Sequence, residues 1–345
     1  MSPLFDGIEA RTVVTSRLTT NVLTRSGQET KAPAIVFLHG NLSSALFWQE
    51  ILLAVPTEFS VWAVDLRGFG ESDALPVDAT RGLRDFSDDL AGVIDALGLG
   101  VAHLVGWSMG GGVAMQFALE HPVLSLTLQA PVSPYGFGGT RLDGSRLTDD
   151  DAGTGGGAAN PVFAASIAAR DSGAGPLTAR GVFRSAYVSP GYRTDHEDTW
   201  VESILSAAVG ADNYPGDSVP SGTWPGFAAG PHGVLNAMTP GHFDVSSIVD
   251  LATKPPILWI RGDGDVIVSD TSAFDLNALG QAGVIPGWPG EELAPAQPMV
   301  AQTRAVLERY GSYREVVFER TGHSAHLEDP ARFTSELLDH VRSVG

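Results

Sequence analysis

The chain contains no cysteine, which excludes a disulfide framework, thiolate catalysis and a cysteine metal site. Lysine is almost missing: it occurs at Lys31 and Lys254, and arginine carries nearly all the positive charge. Lysine and arginine number 21 against 40 aspartates and glutamates, a formal net charge of −19 over 345 residues. So acidic a chain is a poor electrostatic partner for nucleic acid or for an anionic membrane, and its acidity reads as solubility. No apolar run reaches the roughly 18 residues that a transmembrane helix needs. The opening MSPLFDGIEARTVVTS has neither the basic nor the apolar segment of a secretory leader, so a cytoplasmic protein is expected. HExxH and Cys/His metal spacings are also absent, so no metal and no cofactor is expected.

What is present is a globular composition, 43% hydrophobic, long enough for one large core with a sizeable insertion. Residues 11–25 alternate and are rich in Thr and Val, the pattern of an antiparallel hairpin or edge strands. Short continuous apolar runs follow at Ala34–Leu38, Val61–Val64, Ala102–Val105, Leu124–Leu128, Ile257–Ile260 and Glu315–Phe318. Runs of this kind suit strands buried on both faces. Between them, Leu83–Leu97 carries apolar residues with a 3.6 period, and Gly110–Leu119 and Ala331–Val341 are helical in pattern. Strands alternating with helices predict an α/β fold with a mostly parallel sheet. The alternation breaks between about Ser133 and His242, a Gly-, Pro- and Trp-rich stretch read as an insertion over one edge of the sheet. Residues 280–299 form a second irregular loop, placed to close one side of a cleft.

Gly106-Trp-Ser-Met-Gly-Gly111 lies where an apolar strand turns into a helix. Small neighbours at such a turn let the helix pack close and push the serine hydroxyl out above the sheet. The stretch lacks the Gly-x-Gly-x-x-Gly and Lys-Ser/Thr signals of phosphate loops, so Ser108 is the candidate nucleophile. A serine hydroxyl needs a base, and the base needs a carboxylate to orient it. For this turn the order is serine, acid, histidine. Downstream, His323 follows the last strand pattern, with Gly322 before it to let the loop bend. His326 competes and is read as a supporting or surface residue. For the acid, Asp263, Asp265 and Asp270 all follow the strand at 257–260, where a carboxylate points into the ligand crevice. A developing oxyanion needs two donors. One is the backbone N–H of Met109; the other is that of Asn41, with Leu42 next, in the loop His39-Gly40-Asn41-Leu42. His39 reads as support for that loop.

The stretches LHGN at 38–41, DLRGFGESD at 65–73, GWSMGG at 106–111, Gly262–Asp265 and GHSAHLEDP at 322–330 come in one order. In this the chain resembles α/β-hydrolase-fold enzymes, over residues 30–135 and 240–345. The resemblance implies a mostly parallel, doubly wound sheet of about eight strands with helices on both faces. It selects Asp265 through the spacing G-x-x-D, assigns Asp65 and Arg67 to bracing their turn, and divides the chain into a core of residues 1–133 and 243–345 and a cap of residues 134–242. Leu42, Trp107, Tyr135, Trp200, Trp224, Phe227, Asn236 and Met238 are the residues expected to line a pocket for a small-molecule substrate. The implied reaction is cleavage of a carboxylic ester, thioester or lactone of a small, fairly apolar molecule by Ser108, His323 and Asp265. Carbon–carbon bond hydrolases and cofactor-free perhydrolases share a serine at this position. Dehalogenases and epoxide hydrolases use aspartate there, and Ser108 argues against both. A ligand-binding protein that lost turnover is the reading from outside enzymology.

Overall fold

The computed structural model describes residues 3–30 and 33–344; Lys31 lies outside the described residues. Eight strands form one sheet: β1 (Ile8–Val14), β2 (Thr19–Arg25), β3 (Ala34–Leu38), β4 (Ser60–Val64), β5 (His103–Trp107), β6 (Ser125–Gln129), β7 (Ile257–Gly262) and β8 (Tyr313–Phe318). Their order across the sheet is β1-β2-β4-β3-β5-β6-β7-β8. β3 to β8 run parallel. The Thr/Val-rich β1 and β2 form the expected hairpin at one edge, with β2 antiparallel to β4.

The central strands are apolar on both faces because both faces are covered. Every residue of β3, β4, β5 and β6 is buried. On one side, helix Arg84–Ala96 presses Phe86, Leu90 and Val93 inward. Each such side chain contributes roughly 1.5–3 kcal/mol when fully removed from water. Helix Met109–Glu120 is buried from Met109 to Ala118. Its three consecutive glycines let it lie close against the chain: a Cβ on Gly111 would stand 2.6 Å from the Pro131 ring.

The register aligns the carboxyl ends. Leu38 pairs with Val64 and Gly106, Trp107 with Gln129, and Gly262 with Phe318. The loops carrying Asn41, Ser108, Asp265 and His323 therefore leave the sheet on one edge. Strand order reverses at β3: β4 is added on one side of it and β5 on the other, the kind of switch point at which open parallel sheets hold ligands.

Residues 134–242 lie between β6 and β7. They contain helices Pro161–Ala168 and Glu197–Leu205, the short turn Ala179–Tyr187, and two small strand pairs. Polar contacts tie the stretch to the sheet side. Ser203 and Ser44 share a hydroxyl hydrogen bond of 2.6 Å, and the Tyr192 hydroxyl donates to Leu327 O at 2.9 Å. In the acidic run at 148–151, Asp151 is buried, accepts from Gly241 N, and pairs with Arg146 at 2.6 Å. The turn at 65–73 is braced as expected. Asp65 accepts from Ala45 N, Asn21 and Glu71 N, and Arg67 makes a two-armed contact with Asp89.

Candidate active site

Ser108 directly follows β5 in a strained backbone conformation, φ +57° and ψ −120°. Non-glycine residues hold such angles only where the surroundings over-determine them. Here Ser108 N donates to Gln129 O at 2.9 Å, and Ser108 O accepts from Gly111 N at 2.9 Å and Val132 N at 3.1 Å. Glycine is required at position 106, because a Cβ there would stand 2.3 Å from Gly110 O. Ser108 occupies the N-cap of the Met109 helix without a side-chain capping bond. Its side chain instead borders a cavity of about 540 Å³.

His323 borders the same cavity. Its Nδ1 lies 2.7 Å from Asp265 Oδ2, with both side chains buried. A carboxylate at that distance holds the proton on Nδ1 and leaves the Nε2 lone pair free. Asp265 is itself held: its Oδ1 accepts from Ile267 N at 2.7 Å and Val268 N at 3.1 Å. The competing acids are occupied elsewhere. Asp263 accepts from Arg320 N, and Asp270 accepts from Val300 N and Ala301 N at the start of helix Met299–Tyr310.

The main chain of His323 is also fixed. Its carbonyl accepts from Trp107 Nε1 at 3.0 Å and from Gln129 Nε2 at 3.2 Å. Glu328 grips the loop from below, accepting from Gly322 N at 2.8 Å and, across the insertion, from Ser189 N at 2.9 Å. His326 is not a surface residue. It is fully buried, its ring centroid 4.3 Å from that of Trp48. Burial, with His323 nearby, keeps it well below the usual histidine range.

In the loop after β3, Gly40 approaches the serine: a Cβ there would lie 2.9 Å from Ser108 Cβ. His39 supports the loop as expected. Its Nε2 accepts from Leu66 N at 3.0 Å, so Nδ1 carries the proton and donates to Gly40 O at 2.7 Å. Burial brings His39 down to about 4, so it stays neutral. Among the described residues, the backbone N–H groups of Asn41, Leu42 and Met109 have no protein acceptor. Asn41 and Leu42 both line the cavity.

Of the residues expected to line the pocket, Leu42 and Met238 do so, while the others do not. Trp107 is completely buried behind the site, its N–H spent on His323. Tyr135 packs over Gly144, and Trp200 is buried against Phe47. Trp224 bonds Pro286 O, and Phe227 pairs with Pro220 and covers Gly157. Asn236 is a buried tie, accepting from Gly156 N and donating to Asp217. The loop at 280–299 contributes no lining residue; the stretch Val266–Leu279 does, beside Phe137, Phe163, Val182, Tyr187 and Tyr214 from the insertion. No periodicity distinguishes these from other apolar residues in irregular chain. The nearest signal is the position of Val266–Val268, immediately after the acid.

Neither Lys nor Arg is among the cavity-lining residues. Asp275 is among the lining residues, but its buried carboxylate is occupied as a cap, accepting from Asn277 N and Gln297 N. Burial raises its pKa.

A family model described as the alpha/beta hydrolase fold matches residues 33–330. The chain is 36% identical over 91 residues to carboxylesterase YbfK of Bacillus subtilis, covering 26% of this chain and 30% of that one. It is 42% identical over 93 residues to 2-hydroxy-6-oxo-6-phenylhexa-2,4-dienoate hydrolase of Burkholderia cepacia, covering 26% and 32%. The matched stretches thus span about a third of these curated relatives. The fold is similar to that of the Bacillus subtilis carboxylesterase CesB (YbfK), with a TM-score of 0.59 at 17% identity over 97% of this chain and 92% of that one. It is equally similar to an esterase from Exiguobacterium antarcticum, with a TM-score of 0.60 at 17% identity over 97% and 100%. The chain belongs to the α/β hydrolase fold family.

Proposed function

From membership of the α/β hydrolase fold family, we propose that the protein is a serine hydrolase that cleaves a carboxylic ester, thioester or lactone of a small, uncharged, largely apolar molecule. The observation that carries this reading is the buried Asp265–His323 pair at 2.7 Å, bordering one cavity with the strained Ser108. Ser108 Oγ attacks the carbonyl carbon while His323 Nε2 takes the hydroxyl proton. The charge developing on the carbonyl oxygen is met by the N–H groups of Met109 and Asn41, with that of Leu42 next to them; no protein acceptor occupies any of the three among the described residues. The tetrahedral adduct expels the alcohol or thiol, which takes the proton from His323. Water, deprotonated by His323, then cleaves the acyl-enzyme, and Ser108 recovers its proton. No cofactor enters these steps.

The cavity supports an ester over the carbon–carbon bond reading. The dienoate substrates named for the related hydrolase are carboxylates. Burying an anion among lining residues that include no Lys or Arg leaves its charge uncompensated. Residues 134–242 act in this proposal as the cap over a core of 1–133 and 243–345, since they supply much of the wall opposite Ser108. The proposed compartment is the cytoplasm. Among the described residues no helix is long and apolar enough to cross a membrane.

The test is intact mass after treatment with a fluorophosphonate, beside Ser108→Ala, with p-nitrophenyl acetate, butyrate and octanoate assayed on the same samples. One adduct on the wild type, none on the variant, and ester cleavage by the wild type alone are the expected results. An unlabelled, inactive wild type would move the non-catalytic binding protein ahead.

A further inference from the structure

We infer that Tyr187, which the insertion supplies, is a positioning residue that orients the oxyanion-binding loop after β3; this rests on the serine-hydrolase reading above. The argument starts from the planarity of the peptide group. In a trans peptide the C=O and the following N–H point to opposite sides, and every peptide of this loop is trans. Whatever holds the carbonyl therefore aims the next N–H.

Two successive peptides are held in this way. Gly40 O accepts from His39 Nδ1 at 2.7 Å and from Ser43 Oγ at 2.7 Å, which aims the Asn41 N–H away from both. Asn41 O accepts from the Tyr187 hydroxyl at 3.0 Å, which aims the Leu42 N–H. The same hydroxyl lies 3.1 Å from Leu42 O. Leu42 sits between them in a left-handed conformation, φ +49°, which a leucine keeps only when its surroundings impose it. One hydroxyl gripping the carbonyls on both sides of that residue is such an imposition.

Tyr187 is well placed for this. Its phenol is buried and burial raises its pKa, so it remains a donor. Its ring stands edge-on to Trp107 at 5.7 Å and to His323 at 6.3 Å between centroids. The hydroxyl therefore links residues 134–242 to the loop, and the placement of the insertion is coupled to the direction of the donors.

The experiment is Tyr187→Phe, assayed with p-nitrophenyl butyrate over a range of pH and inhibited with butylboronic acid, a tetrahedral mimic. A fall in kcat of about 10–100-fold is expected, less than the roughly 100–1000-fold that follows the loss of an oxyanion donor, because the N–H is released from its aim and not removed. KM should stay within about two-fold, because the tyrosine acts on the transition state through the loop. Boronate affinity should fall in parallel, and the pH midpoint of kcat/KM should not move, because Asp265 and His323 are untouched. An unchanged kcat, or a raised KM with kcat retained, would overturn the inference and leave Tyr187 as wall only. Ser43→Ala provides the second arm, releasing one of the two donors on Gly40 O without touching the insertion. If Tyr187→Phe does not fold, a lowered kcat with retained KM in Ser43→Ala supports the peptide-holding argument, and wild-type kinetics there overturns it. A wild type that neither cleaves ester nor takes up fluorophosphonate is the separate failure of the hydrolase reading, and the inference falls with it.

Discussion

The indole N–H of Trp107 donates to the main-chain carbonyl of His323 at 3.0 Å, joining the residue before the proposed nucleophile to the proposed base. The two residues are 216 positions apart in sequence, and the bond is buried. Replacing Trp107 with Phe keeps an aromatic body against Phe47, whose ring centroid is 5.1 Å away, and removes the donor. Gln129 still reaches the same oxygen, so the loop should loosen without detaching. The expected result is a loss of about 1–3 kcal/mol of stability with a several-fold fall in kcat, read by urea unfolding and ester hydrolysis.

Asp265 is distinguished from its neighbours by contact alone. Asp265→Asn should lower kcat by about 10⁴-fold, because an amide there favours the wrong imidazole tautomer. Asp263→Asn and Asp270→Asn keep an oxygen that accepts from the same backbone N–H groups, of Arg320 and of Val300 and Ala301, and should stay within a few-fold of wild type. Comparable losses in all three would mean that the 2.7 Å contact with His323 has no catalytic importance.

Stability should decline with acidification below neutrality. Burial lowers His39 and His103 to about 4, and it also lowers His326 and His340. These groups are neutral in the folded chain but protonate in the unfolded chain below about 6.5. The unfolded state therefore binds more protons in that window, and stability falls as pH drops from about 6.5 toward 4. Buried carboxylates with raised values, such as Asp65 and Asp275, act with the opposite sign and only in the carboxylate range. Thermal midpoints measured from pH 8 to pH 4.5 check this, and His103→Gln should give a shallower slope. A midpoint that rises on acidification through that window would contradict it.

The cavity opens beside Leu177, Val266 and Phe274, which line it yet are 38%, 37% and 42% exposed. An apolar rim shared by the insertion and the loop after Asp265 is where a long acyl chain would pass. Phe274→Asp should raise KM for p-nitrophenyl octanoate by about ten-fold or more, given roughly 0.8 kcal/mol per buried methylene, and leave acetate hydrolysis within about two-fold. Equal effects on both esters would place the entrance elsewhere.

The hairpin, the parallel strands, the serine turn and the histidine loop were legible because each is written in local pattern. Continuous apolar runs mark strands covered on both faces, and Gly106 marks a place where a Cβ would meet the Gly110 carbonyl at 2.3 Å. Among the three acids, the sequence alone left a choice that only the family spacing narrowed, since all three follow the same strand. Tertiary contact separates them: Asp263 and Asp270 accept from backbone N–H groups of neighbouring segments, while Asp265 reaches the imidazole.

The lining of the cavity was not legible. Trp224, Phe227, Tyr135 and Asn236 have the right chemistry for a pocket, but each is committed to holding the insertion or its margins together. Phe163, Tyr187 and Phe274 form the wall instead. In irregular chain no period ties a side chain to a face, so its direction is set by packing with segments far away in sequence. Composition and spacing alone determined the sheet, the serine turn and the loop that carries His323 and His326, because strand burial and tight turns are local requirements. Which aromatic faces the substrate, and that the Tyr187 hydroxyl grips the loop beside Ser108, only the tertiary structure decided, because those contacts join residues more than a hundred positions apart.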